Sequence, residues 1–564
     1  MKTYRNHILI AALSFVGCGN LLTGQDLGNI GKGKVFDKGG SLGVGCMFTQ
    51  QQGINARRVP FSWYLAGSPT LKFYDITFPF TFVYSEQERN FTQPFNKYGV
   101  SPYYKWVTLH AGWRNIHYSD YTLGGATFLG GGFELNPGKL RVGGIYGKFR
   151  NRTLVDETFR TRYSYALPSY ERMGFAAKVG FGKGPNYTDF ILFKAWDNVD
   201  SMVAKNADSA GVKPMENVAL GIKSNYIILK NIDISIDMAL SAVTLDKRLA
   251  DEVASSGPLK SVNAFLKINR STVPYLAGNF SVGYSFKNFR IRGEYRRVDP
   301  EFQTLGSYYV NNDLIQYTIS PSTILLKGKL MLNASYGIRL NNLLNDQINT
   351  TTNRIGSAYI MLNPSRKFSL GLNYSNYGTN VNSGQTLLND SIIFSVVNQS
   401  YGGNMRFSHT KADISKSLIL NAQYQNLNDN NVVTRAFTQS RSYTGNVAFV
   451  YGKGKKGLNI SVNANYSNVK SYASQFEIAG PSISFRKQIR KAKLNVNTNA
   501  GLLVKLKSGN MDGTIATLGG GIAWQPHKKH NFGLMLNLVR NKTSINSIYT
   551  FSEQRVSLRY TYSL

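Results

Sequence analysis

Four charged side chains alternate along one short stretch, Arg290, Arg292, Glu294 and Arg296, with Phe289, Ile291 and Tyr295 set between them. Successive side chains of an extended chain point to opposite faces, so the four share one face and the apolar residues the other. Such a row can attract anionic solutes along a polar surface, or it can pair its charges with partners on neighbouring strands. Directly after it comes YRRVDPEFQTLGSYYVNNDL, Tyr295 to Leu314. Asp299 and Pro300 start a turn, Gly306 allows a tight bend, and Tyr308, Tyr309, Asn311, Asn312 and Asp313 make an aromatic and polar tip. Three readings fit this stretch: a constriction folded inward, a surface that docks a partner, or a compact surface loop packed on its own side chains.

No other stretch signals reactive chemistry. The histidines are His7, His110, His117, His409, His527 and His530; only the last two are close, in a turn with Lys528 and Lys529 and no carboxylate or cysteine. That is not a metal-ligand set. Gly130 to Gly132 and Gly519 to Gly521 lack the Lys-Ser/Thr of a phosphate loop and lie within strand patterns, where glycine marks bends or close backbone contacts. Serine, histidine and acidic residues form no local signature. The expectation is no catalytic residue, no metal and no cofactor; a hydrolase site at an outer rim is an alternative without a positive feature.

Composition says what must position the charged row and its loop. The 564 residues include 34 Tyr, 32 Phe and 54 Gly, with few helix-period runs and no compositional break that divides the chain. Apart from the N-terminus, no apolar run approaches the ~20 residues of a membrane helix. The charge of +34 comes from 65 Lys+Arg against 31 Asp+Glu. These bases are dispersed through strands and turns, so nucleic acid is not the expected partner. Phosphate-bearing lipid head groups are.

Alternation recurs throughout. Ile232, Ile234, Ile236, Met238 and Leu240 interleave with Asp233, Ser235, Asp237, Ala239 and Ser241; Leu458 to Ser467 and Leu494 to Val504 interleave with asparagine. A soluble sandwich has the same period, and the connections separate the two cases. Short, basic turns such as Lys230-Asn231, Lys287-Asn288, Lys327 to Lys329 and Gly452 to Gly457 alternate with long ones such as Asn151 to Arg172, Thr244 to Ala277 and Val298 to Leu314. That is the asymmetry of an outer-membrane barrel, with short periplasmic turns and long extracellular loops. The chain also ends on a strand, Arg555 to Leu564, with Tyr560, Tyr562 and Leu564 on its apolar face. In a barrel this strand pairs with the first and removes the edges, and its terminal pattern resembles the signal read by the outer-membrane insertion machinery.

The predicted fold is all-β: a single transmembrane antiparallel β-barrel of about 26 strands (24–26) over residues 41–564, with Tyr84 to Thr127 the hardest section and Lys105-Trp106 the turn of a hairpin there. Residues 1–25 read as a signal peptide, with Lys2 and Arg5 before the apolar run Ile8 to Val16 and cleavage after Gln25. Acylation of Cys18 is the competing reading. Residues 26–40 read as a periplasmic lead-in, too short for a plug domain, and Cys46 as a small apolar strand residue.

The stretches Thr92 to Phe95, Lys97 to Pro102, Thr127 to Gly138 and the YRRVDPEF loop resemble the large outer-membrane β-barrels of Bacteroidota. The resemblance covers most of the chain as pattern, and its motifs lie in Arg57 to Phe149 and Tyr295 to Tyr317. It implies an outer-membrane barrel attached to a secretion or assembly machine and assigns no catalytic residue. The leading functional expectation is therefore a structural or conduit subunit of an envelope secretion, assembly or transport complex. Its partners would be outer-membrane lipid, lipopolysaccharide, the insertion machinery and other proteins of that complex. The alternative is a passive pore for anionic or oligomeric solutes.

Overall fold

A computed structural model describes residues 35–564 except 56–58, 87–96, 154–167, 203–210, 252, 255, 348, 384–394, 432–433, 490, 492 and 545–549. The expected signal peptide with Cys18, most of the lead-in and the Thr92 to Phe95 motif lie outside the described residues. Alternation becomes one antiparallel sheet of 29 strand segments. Three strands are each broken in two, at Gly40, at Ser68-Pro69 and at Ser101-Pro102, where a left-handed glycine or a proline without an N–H interrupts the ladder. The result is a closed barrel of 26 strands.

In chain order the strands are β1 (Phe36–Gly39 and Ser41–Gln52), β2 (Phe61–Gly67 and Thr70–Phe73), β3 (Ile76–Ser85), β4 (Lys97–Val100 and Tyr103–Tyr104), β5 (Val107–His117), β6 (Gly124–Leu135), β7 (Leu140–Arg150), β8 (Arg172–Lys183) and β9 (Asn186–Asp197). They continue with β10 (Glu216–Ile228), β11 (Ile232–Thr244), β12 (Thr272–Phe286), β13 (Phe289–Val298), β14 (Leu314–Leu325), β15 (Leu330–Leu340), β16 (Asn349–Ser365), β17 (Phe368–Ser383) and β18 (Ser395–Lys411). The last are β19 (Ile414–Asp429), β20 (Ser440–Lys453), β21 (Leu458–Ser471), β22 (Gln475–Ile489), β23 (Leu494–Lys507), β24 (Asn510–His527), β25 (His530–Thr543) and β26 (Phe551–Ser563). The first strand begins at Phe36, inside the stretch read as a lead-in. The hairpin around Lys105-Trp106 is present as β4 and β5.

Closure is made by β26 pairing with β1, from Ser41 opposite Ser563 to Gln52 opposite Ser552. Leu564 adds a last bond, its N–H donating to Gly40 O at 3.1 Å. Tyr560 and Tyr562 sit on the outward face, where Tyr560 packs on Phe532 at 4.9 Å and its hydroxyl meets His530 Nδ1 at 2.8 Å. Outward positions are apolar around the barrel, with Phe190, Leu276, Leu502 and Leu558 exposed, and one aromatic row, Tyr374, Tyr401, Tyr424 and Tyr443, crosses four strands. A sheet closed on itself with an apolar outer surface satisfies its backbone without water and suits a lipid surround. Among the described residues no helix is long and apolar enough to cross a membrane.

The two ends differ. At the end that holds the chain's C-terminus the turns are tight, and Lys105, Lys287 and Lys493 adopt left-handed φ of 47°, 50° and 49°. That backbone handedness matches the twist of the strands it joins. The other end carries the longer connections, and two of them turn inward.

Within β6, Gly130 stands against the neighbouring strand: a Cβ there would lie 2.1 Å from Tyr146 O, whereas one at Gly131 would find its nearest atom, His110 O, at 3.6 Å. Gly130→Ala should therefore lower stability by about 1–3 kcal/mol while Gly131→Ala leaves it nearly unchanged. Urea unfolding midpoints in detergent micelles measure the difference.

Candidate functional site

Inside the barrel, the buried apolar clusters of the described residues lie on one wall. Two buried clusters, one around Phe128, Phe149, Phe193 and Leu305, the other around Tyr121, Val243, Phe302 and Leu314, lie against the inward faces of β5 to β14. Beyond Leu314, the buried hydrophobic residues among those described are Val396 and Ala448. Two connections supply the packing partners: Tyr118 to Leu123, between β5 and β6, and Asp299 to Asp313, between β13 and β14.

The longer connection is built by the turn the sequence announced. Asp299 caps it twice, its N–H donating to Leu276 O at 2.9 Å and its carboxylate accepting Leu276 N–H at 2.8 Å. Pro300 follows with its fixed φ, Glu301 takes a left-handed φ of 58°, and the chain drops into the lumen. Phe302 and Leu305 are buried there. Gly306 forms a parallel bridge with Leu123, and its carbonyl accepts the Gly124 N–H at 2.9 Å. A Cβ at Gly306 would come 2.4 Å from Thr122 O, so glycine is required by the approach of the two loops. Asn217, fully buried on β10, receives Leu305 N–H at 3.1 Å and donates to Ser241 Oγ at 2.8 Å; Ser241 in turn donates to Gln303 O at 2.7 Å. The loop is thus folded inward, seated on the wall of β5 to β14.

The remaining loop residues divide by role. Tyr308 accepts Thr127 N–H at 2.9 Å, Asn312 donates to Phe302 O at 3.3 Å, and Asn311 is exposed. Asp313 accepts from Asn342 N–H, Leu343 N–H and Gln347 Nε2 at 2.9, 3.0 and 3.0 Å, which ties the loop to the next connection. Tyr309 is 79% exposed. Behind the loop a cavity of about 440 Å³ runs to Phe149, Arg150 and Arg172.

The charged row of β13 faces the interior, and two of its arginines share one carboxylate. Asp233 lies 3.0 Å from Arg290 and 3.6 Å from Arg292; Arg292 also donates to Ser281 at 2.6 Å, and Glu294 accepts from Asn279 at 3.2 Å. Arg296 stands over the Tyr121 ring at 6.0 Å, and Tyr121 packs edge-on against Phe302 at 5.9 Å. The row therefore reaches the site through the shorter loop. There the His117 imidazole, hydrogen-bonded to Asp120 at 2.8 Å, holds the Asp120 carboxyl below the usual carboxylate range.

Several residues of this site carry no sequence signal of their own. Asp197, fully buried, binds Arg150 and Arg172 at 3.1 and 2.7 Å and accepts Met215 N–H at 3.0 Å. Tyr118 to Leu123 reads as an ordinary turn until its partner loop is known. No group of histidine, cysteine or acidic residues among those described could hold a metal.

No family model matches the sequence, and no curated protein matches it. Solved structures similar to it include OccAB2 of Acinetobacter baumannii (9% identity, TM-score 0.31, 62% of this chain and 92% of that one). OpdK of Pseudomonas aeruginosa with vanillate is similar at 12% identity and TM-score 0.30, over 62% and 94% of the two chains. The FrpB iron transporter of Neisseria meningitidis, F5-1 variant, aligns over 94% of this chain and 83% of that one, at 11% identity and TM-score 0.38. Scores this low carry no function across.

Proposed function

We propose that the chain is an outer-membrane conduit of a Gram-negative cell, its tight basic turns in the periplasm among lipid head groups and its longer connections outside. One observation carries the reading. Among the described residues the barrel interior is packed along β5 to β14 and mostly polar along the rest, which leaves that side of the lumen for solute or for a partner segment. Within an envelope secretion, assembly or transport complex the barrel is the membrane-crossing subunit, and the exposed Tyr309 and Asn311 tip offers partners a contact. The outward Tyr560 and Tyr562 and the terminal Leu564 support recognition by the insertion machinery.

Two measurements on protein extracted from its native membrane test this. Mass in mild detergent shows stoichiometric partners if the complex exists, and a planar bilayer shows ion current if the lumen conducts. A lone barrel without current removes both parts of the reading. A simple anion pore is the second reading, and the paired state of Arg290 and Arg292 bears on it. Asp233→Asn releases two cations from their shared carboxylate and should shift reversal potentials toward anion selectivity; the Arg296→Glu change should shift them the other way and less.

A further inference from the structure

The bare wall has a chemistry of its own. Asn404, Asn421, Asn446 and Asn465 stand opposite one another on the four adjacent strands β18 to β21, all inward because Met405, Leu420, Val447 and Ala464 beside them face out. They form a ladder: Asn421 donates to Asn446 at 3.4 Å, Asn446 to Asn465 at 2.9 Å, and Asn465 to Ser482 Oγ at 3.1 Å. Further amides flank it, Gln423 bonded to Ser400 and Gln425 to Asn398, each at 3.1 Å.

Glycine keeps this wall shallow. Gly371 is opposite Asn404, Gly402 opposite Asn373, Gly519 opposite Asn499 and Gly521 opposite Asn497. A Cβ at those glycines would meet the facing amide at 2.6, 2.4, 2.3 and 2.6 Å, so each amide lies flat over bare backbone. Charge is absent as well. Among the described inward positions of β17 to β23, the levels between Arg406 or Arg486 near the tight turns and Lys505 near the other end hold only neutral side chains.

Each carboxamide has two N–H donors and two acceptor lone pairs; Asn446 and Asn465 also donate to Ala464 O and Gly480 O at 3.5 and 3.3 Å, which leaves donors on Asn404 and Asn421 and acceptor lone pairs along the whole ladder. What remains is an uncharged, smooth surface that both donates and accepts, repeated at the spacing of adjacent strands. It complements neither anions nor apolar chains. It complements a chain that carries many hydroxyls and no charge, since each hydroxyl also donates and accepts.

We propose that the amide wall of β17 to β24 binds an uncharged, hydroxyl-rich chain, an oligosaccharide, along the lumen. This rests on the conduit reading for its route, though binding itself can be measured separately. The full-length protein in detergent is titrated calorimetrically with maltohexaose, cellohexaose and hexaglutamate, and the same probes are added to bilayers that carry its current. A hexasaccharide should bind and reduce the current, while hexaglutamate does neither. Asn421→Leu with Asn446→Leu should weaken binding about tenfold, from the loss of one or two hydrogen bonds. Asn468→Leu, on the outward face, should change nothing. Should the double variant fail to fold, Ser482→Ala and Asn446→Gln carry the same test. Current without saccharide binding leaves the conduit and ends the oligosaccharide assignment; binding without current does the reverse. Equal binding of hexaglutamate, or saccharide binding indifferent to the ladder variants, also overturns it.

Discussion

Replacing Phe302 to Val310 with a short glycine–serine link should raise the single-channel conductance by up to about twofold, because it removes the larger of the two loops packed against one side of the lumen. The segment brings Phe302 and Leu305 into two separate buried clusters, and nothing else in the described interior occupies that volume. Gly306→Val tests the same point without deletion. Its side chain cannot fit beside Thr122 O, so the loop should leave its seat on Leu123 and conductance should rise with larger fluctuations. If the deletion leaves conductance unchanged while the barrel folds, this loop does not limit the current.

The second large effect concerns Asp197. It is fully buried and serves two guanidiniums, Arg150 at 3.1 Å and Arg172 at 2.7 Å, besides the Met215 N–H. Asp197→Ala leaves two cations of one sign facing each other with no counter-charge. Breaking a buried pair from one side costs about 3–5 kcal/mol, mostly from the stranded charge. The unfolding midpoint in urea should fall accordingly, and adding Arg150→Met should restore part of it. Asp251→Ala provides the contrast: its pair with Arg270 has side chains 66% and 67% exposed, and solvent screens it, so the midpoint should hold.

The shell of this barrel was legible because it is local. Alternation assigned the faces of β11, β21 and β23, a basic two-residue turn located β12 to β13, and the apolar face of the last strand announced closure. The loop after Val298 was legible too, since Asp299-Pro300 and Gly306 are residues chosen for backbone shape. Its seat was not. Leu305 and its acceptor Asn217 are 88 residues apart, and an asparagine in an alternating strand looks the same whether it holds a loop or faces water. The amide ladder was hidden for a related reason. Asn404, Asn421, Asn446 and Asn465 are conspicuous only when four registers are known, and a slip of one residue in any pair would send one of them to the lipid. Period 2 puts the charged row on one face, but its partner Asp233 is 57 residues away from Arg290, beyond the reach of a local pattern.

The seam between β1 and β26 sets the order of events in biogenesis. Gln51 donates to Glu553 at 3.1 Å across a sequence separation of 502, so the ring cannot shut until strands that far apart in the chain have met. Every hairpin between those strands can zip locally within microseconds, yet the two free rims must wait for the slowest contact in the molecule. During that interval the rim of β1 is an adhesive template, open to any passing extended chain.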